Sequence, residues 1–232
     1  MKRKGKLIVI DGSDGVGKAT QTKLLVERLK KEKIPVETLD FPQYESNLFG
    51  KLIGECLAGL HGDFIGLDPK IASVLYAADR FESKQKIEKW LAAGKTVVLD
   101  RYVSANQMHQ GGKIHEAKER KQFLQWLDRM EHEVFGLPRP DVILYLALPV
   151  EMALELLKEK HLASKKKYLT KGAKDQAENN VKHLLDSQQS ALKLIQGSNN
   201  WKKIICSTKK GILSREDIHV KIWSIVEPLV AR

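Results

Sequence analysis

Residues 7 to 21, LIVIDGSDGVGKATQ, constrain this chain more than any other stretch. An apolar run, Leu7 to Ile10, ends in Asp11 and Gly12; Gly15, Gly17 and Lys18 follow, and a helix-forming sequence begins. The order is strand, glycine turn, helix start. From Gly12 to Lys18 it satisfies most of the pattern G-x-x-x-x-G-K-[ST], with Ala19 where the pattern asks for a hydroxyl and Thr20 directly after. Glycines let backbone N–H groups crowd around phosphate oxygens, the helix N-terminus adds its positive dipole end, and Lys18 adds a point charge. Gly12, Ser13, Asp14, Gly15, Val16, Gly17, Lys18, Ala19 and Thr20 are therefore the predicted phosphate cradle. A glycine-rich turn with no ligand is the alternative, and the flanking strand and helix weigh against it.

Further along, Thr20 to Lys31 carries Leu24, Leu25, Val26 and Leu29 at helical spacing. Pro35 to Phe41 reads as a second strand, followed by a loop at Pro42, Gln43 and Tyr44; the Phe41–Pro42 bond is a place where a cis peptide would aim Phe41 inward. Leu48 to Leu60 and Pro69 to Ala93 are each predicted as one helix. Thr96 to Asp100 is an apolar run ending in a carboxylate, the form of a Walker B strand, in which the aspartate sits near a magnesium ion. The polar, glycine-bearing segment VSANQMHQGGK is then expected to lie over the site. Glu116 to Glu133 reads as a helix, Asp141 to Leu146 as a strand, Val150 to Lys158 as a helix, and Trp201 to Cys206 as a strand. Ser214 to Leu229 is an amphipathic helix capped by Ser214. Alternating strands and helices predict an α/β fold of three layers: a central parallel sheet of about five strands flanked by helices, with ligands at the strand C-termini.

Length and charge bound the rest. The 232 residues suit one domain, residues 1–232, with a mobile lid at about 160–175. Apolar content of 42% and charged content of 30% describe a soluble globular chain. With no apolar run of membrane-spanning length, a cytoplasmic location is the expectation. Cys56 and Cys206 are too far apart for metal-ligand spacing and read as buried small apolar residues. The net charge of +11 suits either nucleic acid or polyphosphate ligands.

Three motifs together resemble the thymidylate kinases, P-loop enzymes of nucleoside monophosphate phosphorylation, over nearly the whole chain. They are the P-loop with aspartate at its third position, Asp14; the helix Leu75, Tyr76, Ala77, Ala78, Asp79, Arg80; and Asp100, Arg101, Tyr102 followed by Gln110 and Gly111. The order G-K-x-T-Q also looks like the P-loops of monophosphate kinases. The resemblance implies transfer of the γ-phosphoryl group of ATP to dTMP with Mg²⁺, in a homodimer. It implies ATP phosphates on Lys18 and the loop amides, with Lys18, Arg101 and Asp14 as the catalytic set. It places Asp14 at the sugar hydroxyl and near the metal, Asp100 at Mg²⁺ or its waters, Phe41 and Tyr76 around thymine, and Arg80 on a thymine carbonyl. Tyr44 and Arg101 would hold the acceptor phosphate, Asn106 the base edge, and His109 and Gln110 would complete the dTMP pocket.

Each role has a plainer rival: core aromatics for Phe41 and Tyr76, and a solvated pair for Asp79 and Arg80. Two departures stand out. His109 replaces a tyrosine associated with rejecting the ribose 2′-hydroxyl, and Gly15 stands where one branch of the family has arginine. The other branch brings the basic residue from a lid, here Lys165, Lys166, Lys167 and Lys171, with Lys174 beyond them; a solvated charge run is the alternative. Two other readings were weighed: a kinase for a different nucleoside monophosphate or a deoxynucleoside, and a basic P-loop ATPase that binds nucleic acid. The phosphate acceptor is already largely ionised near neutral pH, so no strong general base is required.

Overall fold

In the computed structural model, residues 4–163 and 180–231 are described. Five parallel strands form one sheet: β1 (Leu7–Gly12), β2 (Val36–Asp40), β3 (Thr96–Asp100), β4 (Val142–Ala147) and β5 (Trp201–Ile205). Their spatial order is β2-β3-β1-β4-β5. Every residue of β1 is buried, as a central parallel strand covered on both faces demands, whereas edge strands β2 and β5 alternate with exposed positions.

The period of two along the strands divides the core. Ile8, Ile10, Val98, Leu144 and Leu146 pack beneath α1 (Lys18–Lys31) and α9 (Arg215–Val230). Leu7, Val9, Val97, Leu99, Ile143 and Tyr145 face the other way, toward α4 (Lys84–Ala92), α5 (Val103–Gly112) and α8 (Val181–Gly197). That second layer is completed by α2 (Leu48–Leu57), α3 (Pro69–Glu82) and α6 (Ala117–Asp128), whereas α7 (Val150–Ala163) packs Ala153, Met152 and Leu156 on the α1 and α9 side. A short antiparallel hairpin, β6 (Ser207–Thr208) with β7 (Gly211–Ile212), lies between β5 and α9. No helix among the described residues is long and apolar enough to cross a membrane.

Register sets the site. Ile10 pairs with Asp100 and Asp11 with Tyr145. The amide of Arg101 donates to the carbonyl of Ile10 at 2.9 Å, and the amide of Phe41 to that of Asp100 at 2.9 Å. The C-terminal ends of three strands thus stop level, where the order reverses from β3 to β4 around β1.

Several predicted boundaries are corrected. The stretch from Pro69 to Ala93 is two helices: the Ser83 amide bonds to Arg80 three residues back, and its hydroxyl accepts from Asn47 at 3.2 Å, which closes α3 before α4 starts. The segment after Tyr102, given no element from sequence, forms helix α5. Its Gly111 and Gly112 lie against α8, and a Cβ on Gly112 would come within 2.9 Å of the Asp186 carbonyl. Glycine's helix cost, about 1 kcal/mol, is offset here by close helix packing. The helix predicted through Glu133 leaves α-geometry at Arg129–Val134, where it widens into a π turn. Helix α2 stops at Leu57 rather than Leu60, and α7 continues past Lys158 to Ala163. The Phe41–Pro42 bond is cis.

Candidate active site

The strand ends, the first turn of α1, the C-terminal half of α3 and helix α5 surround one cavity of about 1480 Å³. On one side lies the glycine loop. Gly12, Gly15 and Gly17 have φ of 151°, 84° and 92°, values open chiefly to glycine, and they turn the backbone so that α1 begins pointing its N–H groups into the cavity. Gly17 caps α1 in the left-handed conformation with no side-chain cap, leaving those first donors to a ligand. A Cβ on Gly15 would meet the Ala153 carbonyl oxygen of α7 at 2.5 Å. An arginine at this position therefore has no room beside α7.

Lys18 is buried, its Nζ donating to the Gly12 and Ser13 carbonyls at 3.1 and 2.8 Å with the Asp14 carboxylate 3.5 Å away. Burial, and then the neighbouring Arg101 cation, lower its pKa. Both effects oppose the ammonium charge, so a polyanion arriving beside it would be favoured. Val16, Ala19 and Thr20 line the cavity with Gly15, Gly17 and Lys18, while Gly12 and Ser13 serve it through their carbonyls. At the far end Ile212, Leu213, Ser214 and Arg215 form a wall between β7 and α9, and Gln21 of α1 ties to the Arg215 carbonyl at 2.9 Å. Sequence reading missed this wall, because a two-residue hairpin leaves no periodic signal.

Beside the loop, Arg101 follows β3 with φ of 64°. A non-glycine residue in that region is strained, and such strain collects at functional sites. Its Nη2 donates to Asp14 and its Nη1 lies 3.1 Å from His109 Nε2. Burial disfavours its charge, but the Asp14, Asp11 and Asp100 carboxylates together more than offset this and raise its pKa. Asp11, assigned no role from sequence, is wholly buried and accepts from the Gly12 amide at 2.8 Å and the Ser104 hydroxyl at 2.5 Å. Asp100 lines the cavity; burial, reinforced by Asp11 and Asp40, raises its carboxyl to about 6 against the pull of Lys18 and Arg101.

The remaining predicted residues converge on the same space. Phe41, Tyr44, Tyr76, Arg80, Asn106, His109 and Gln110 all line it. Phe41 packs 6.0 Å from the Tyr102 ring, and Tyr76 5.8 Å from Phe64. Arg80 and Asp79 are not a solvated pair: both are buried. Arg80 donates through Nε and Nη2 to Glu131 at 2.8 and 2.5 Å and through Nη1 to the Tyr102 carbonyl at 3.3 Å. Asp79 accepts from the amide of Gln43 at 3.1 Å and from Asn47 at 2.9 Å, fixing the loop that carries Tyr44. Asn106 Nδ2 donates to Glu131 at 2.8 Å and to the Ser73 carbonyl at 3.1 Å. Its amide oxygen is thereby left toward the opposite side.

Glu131 is the residue sequence reading could not find. It is fully buried and serves two cavity residues at once, yet it sits in a π turn inside a run that reads as ordinary polar helix. His183 and Ser187 of α8 were missed as well; His183 lines the cavity and stacks on His109 at 5.3 Å. The predicted lid lysines, Lys165, Lys166, Lys167 and Lys171, lie outside the described residues.

A family model described as thymidylate kinase matches residues 10–218. Thymidylate kinases of Mycobacterium tuberculosis and Plasmodium falciparum are each 34% identical to this chain, over 149 and 152 residues. Those alignments take in 64% and 66% of the chain and 69% and 66% of the respective relatives. The human thymidylate kinase is 32% identical over 146 residues, 63% of the chain and 62% of the human protein. Among solved structures, that of thymidylate kinase from Candida albicans superposes with a TM-score of 0.69 over 97% of this chain and 92% of its own, at 24% identity, a likeness of fold.

Proposed function

Because this chain belongs to the thymidylate kinase family, we propose that it transfers the γ-phosphoryl group of ATP to dTMP, giving ADP and dTDP, within the single cavity described above. The observation that carries this reading is the meeting of a backbone phosphate cradle with a second cation, Arg101, at the end of the neighbouring strand in one cavity, joined to the cradle through Asp14. Transfer between two phosphates needs those two anchors and little else. A nucleic-acid module using ATP as a switch would have no use for the buried constellation of Tyr76, Arg80 and Asn106.

In this reading the amides from Ser13 to Thr20 and the Lys18 ammonium hold the donor phosphates, with Gly12 shaping the turn, and the wall from Ile212 to Arg215 faces the donor nucleoside. Arg101, with Tyr44 beside it, receives the acceptor phosphate, a match for a planar guanidinium. Phe41 and Tyr76 sandwich the acceptor base, while Arg80 and Asn106 offer a donor and an acceptor to its edge. His109 and Gln110 complete the sugar side. Lysines of residues 165–171 would close over ATP, with residues 1–232 acting as one domain in the cytoplasm.

Mg²⁺ fits the residues present. Among the described residues no three side chains are grouped to hold a metal alone, but Mg²⁺ is ordinarily held by one or two carboxylates and by substrate phosphates. Asp100, cavity-facing and burdened by its own negative charge, would hold the ion or its waters; Asp14, already bonded to Arg101, would contribute less. The ion when bound would neutralise charge on the transferring phosphates. A homodimer is part of the proposal: Ile71, Val74 and Phe81 are exposed on α3 and offer apolar surface for a second copy.

The test is a coupled ADP-release assay with ATP and Mg²⁺ against dTMP, dUMP, UMP, dCMP, dGMP and thymidine. Strong turnover of dTMP with little of UMP or thymidine is expected. Equal turnover of UMP would overturn the deoxyribose preference, and silence with every monophosphate would overturn the reaction.

A further inference from the structure

We propose that His109 is a positioning residue for Arg101, its ring locked by Ser187 and His183 of α8 so that a neutral nitrogen orients the guanidinium toward the acceptor phosphate. The proposal rests on Arg101 receiving that phosphate.

Proton directions follow from donor inventories alone. Arg101 has no acceptor, so at 3.1 Å its Nη1–H must donate to His109 Nε2. His109 Nδ1 therefore carries the ring proton and donates to the Ser187 hydroxyl oxygen at 2.9 Å. The Ser187 hydroxyl in turn donates to the His183 carbonyl at 2.7 Å. No member of this relay is free to reverse without setting two donors against each other. The His183 ring lies on the His109 ring at 5.3 Å and 23°, so α8 holds the imidazole by its face as well as its edge. Ser187 and His183 are both buried.

The chemistry explains why an imidazole stands here. Nη2 of Arg101 is bonded to the Asp14 carboxylate. The Asp11 carboxylate already stands 4.0 Å from Nη1; a further carboxylate hydrogen-bonded there would compete with phosphate for the cation, and a lysine would repel it. A neutral acceptor fixes direction and leaves the charge for the ligand. Burial, and then Arg101 and His183, hold the His109 pKa well below its ordinary value, which keeps the acceptor neutral. Acceptor-phosphate binding is thus tied to helix α8.

Calorimetric titration of the full chain with dTMP and with thymidine, in the absence of ATP, separates this role from sugar-pocket packing. Thymidine reports the base and sugar sites, and the ratio of its Kd to that of dTMP reports the phosphate contribution. Hydrogen bonds to charged groups are worth enough that His109→Phe should shrink this ratio about tenfold and Ser187→Ala roughly threefold; in Ser187→Ala, which leaves the sugar side intact, thymidine Kd should stay unchanged within about twofold. His109→Gln, which returns a carbonyl acceptor, should recover most of the ratio. Ser187→Ala removes one oxygen, so it reads the relay even if the bulkier change disturbs the fold. Parallel weakening of dTMP and thymidine, or an unchanged ratio in both variants, overturns the proposal. A wild-type chain that binds neither ligand overturns the dTMP reading beneath it, and one that binds both equally overturns the phosphate role of Arg101.

Discussion

On the proposed donor side of the cavity, phosphate would meet backbone: three glycines with positive φ, the uncapped start of α1, and one lysine tethered to the loop's own carbonyls. On the proposed acceptor side it would meet side chains from scattered places, each held by another side chain. Arg101 leans on Asp14 and His109, Arg80 and Asn106 on Glu131, and the Tyr44 loop on Asp79. A backbone cradle is stable wherever its turn can form. A side-chain pocket lasts only while its supports do, so the acceptor wall should be the more breakable, and the more tunable, of the two.

The largest expected effect tests whether the two sides are separable. Lys18→Ala should lower kcat by about 10³-fold, the scale of removing one preorganised cationic contact to transferring charge. Lys18 and Arg101 share Asp14, but if the two sides are separable, dTMP affinity measured without ATP should stay within about threefold. A collapse of dTMP binding in this variant would mean the walls form one network, and the comparison fails.

Next comes Glu131. Arg80 is 2% exposed and Glu131 not at all, so Glu131→Ala leaves a buried cation unpaired and should cost about 3 kcal/mol of stability in chemical denaturation. Arg80→Met on that background should return much of it, because the pair is removed together. dTMP affinity should not return. Recovery of both would mean that Arg80 serves the fold alone.

The glycines give the donor-side counterpart, at about 1 to 2 kcal/mol. Gly17 has φ of 92° with no atom within 4 Å of a built Cβ, so Gly17→Ala meets only backbone strain, about 1 kcal/mol. Gly15→Ala adds approaches of 2.5 Å to the Ala153 oxygen and 2.8 Å to Leu157 and should be clearly the worse of the two in thermal melts. Equal losses would show that α7 gives way, and that the cradle is less fixed by its neighbours than its geometry suggests.

The same contrast explains what the sequence could reveal. A backbone cradle must be contiguous, so Gly12 to Thr20 announced itself, and the flanking apolar runs, buried on both faces, declared a parallel sheet. The acceptor residues were legible singly, through motif order at Tyr76, Arg80, Arg101 and Asn106. Their supports were not. Glu131 is 51 residues from Arg80, and Ser187 is 78 from His109; nothing local distinguishes them from surface polar residues. Helix α5 gave no helical signal because its buried face carries Ser104, Asn106 and Gln110, polar where periodicity looks for apolar. The split at Ser83 hid for a related reason: it is enforced by Asn47, far away in sequence.

Asp100 sits between the two walls, and its effect is the smallest and the most specific in sign. Its carboxyl is raised from 3.8 to about 6, with burial as the first cause. Between about pH 4 and pH 6 the folded chain keeps a proton that the unfolded chain has released, so stability falls as pH rises through that window and stays low above it. Asp100→Asn removes the slope but leaves a buried amide, so its net gain at pH 7 should be about 1 kcal/mol, or roughly 2 to 4 °C in melting temperature for a chain of this size. The two melting temperatures should converge near pH 4 and separate toward pH 7 in metal-free buffer. Added Mg²⁺ with ATP should narrow the gap from the wild-type side only, since a cation beside the carboxylate offsets the charge that burial penalises. If Asp100→Asn is no more stable at pH 7, the Lys18 and Arg101 charges already compensate this carboxylate, and it belongs to the side-chain network of the acceptor wall.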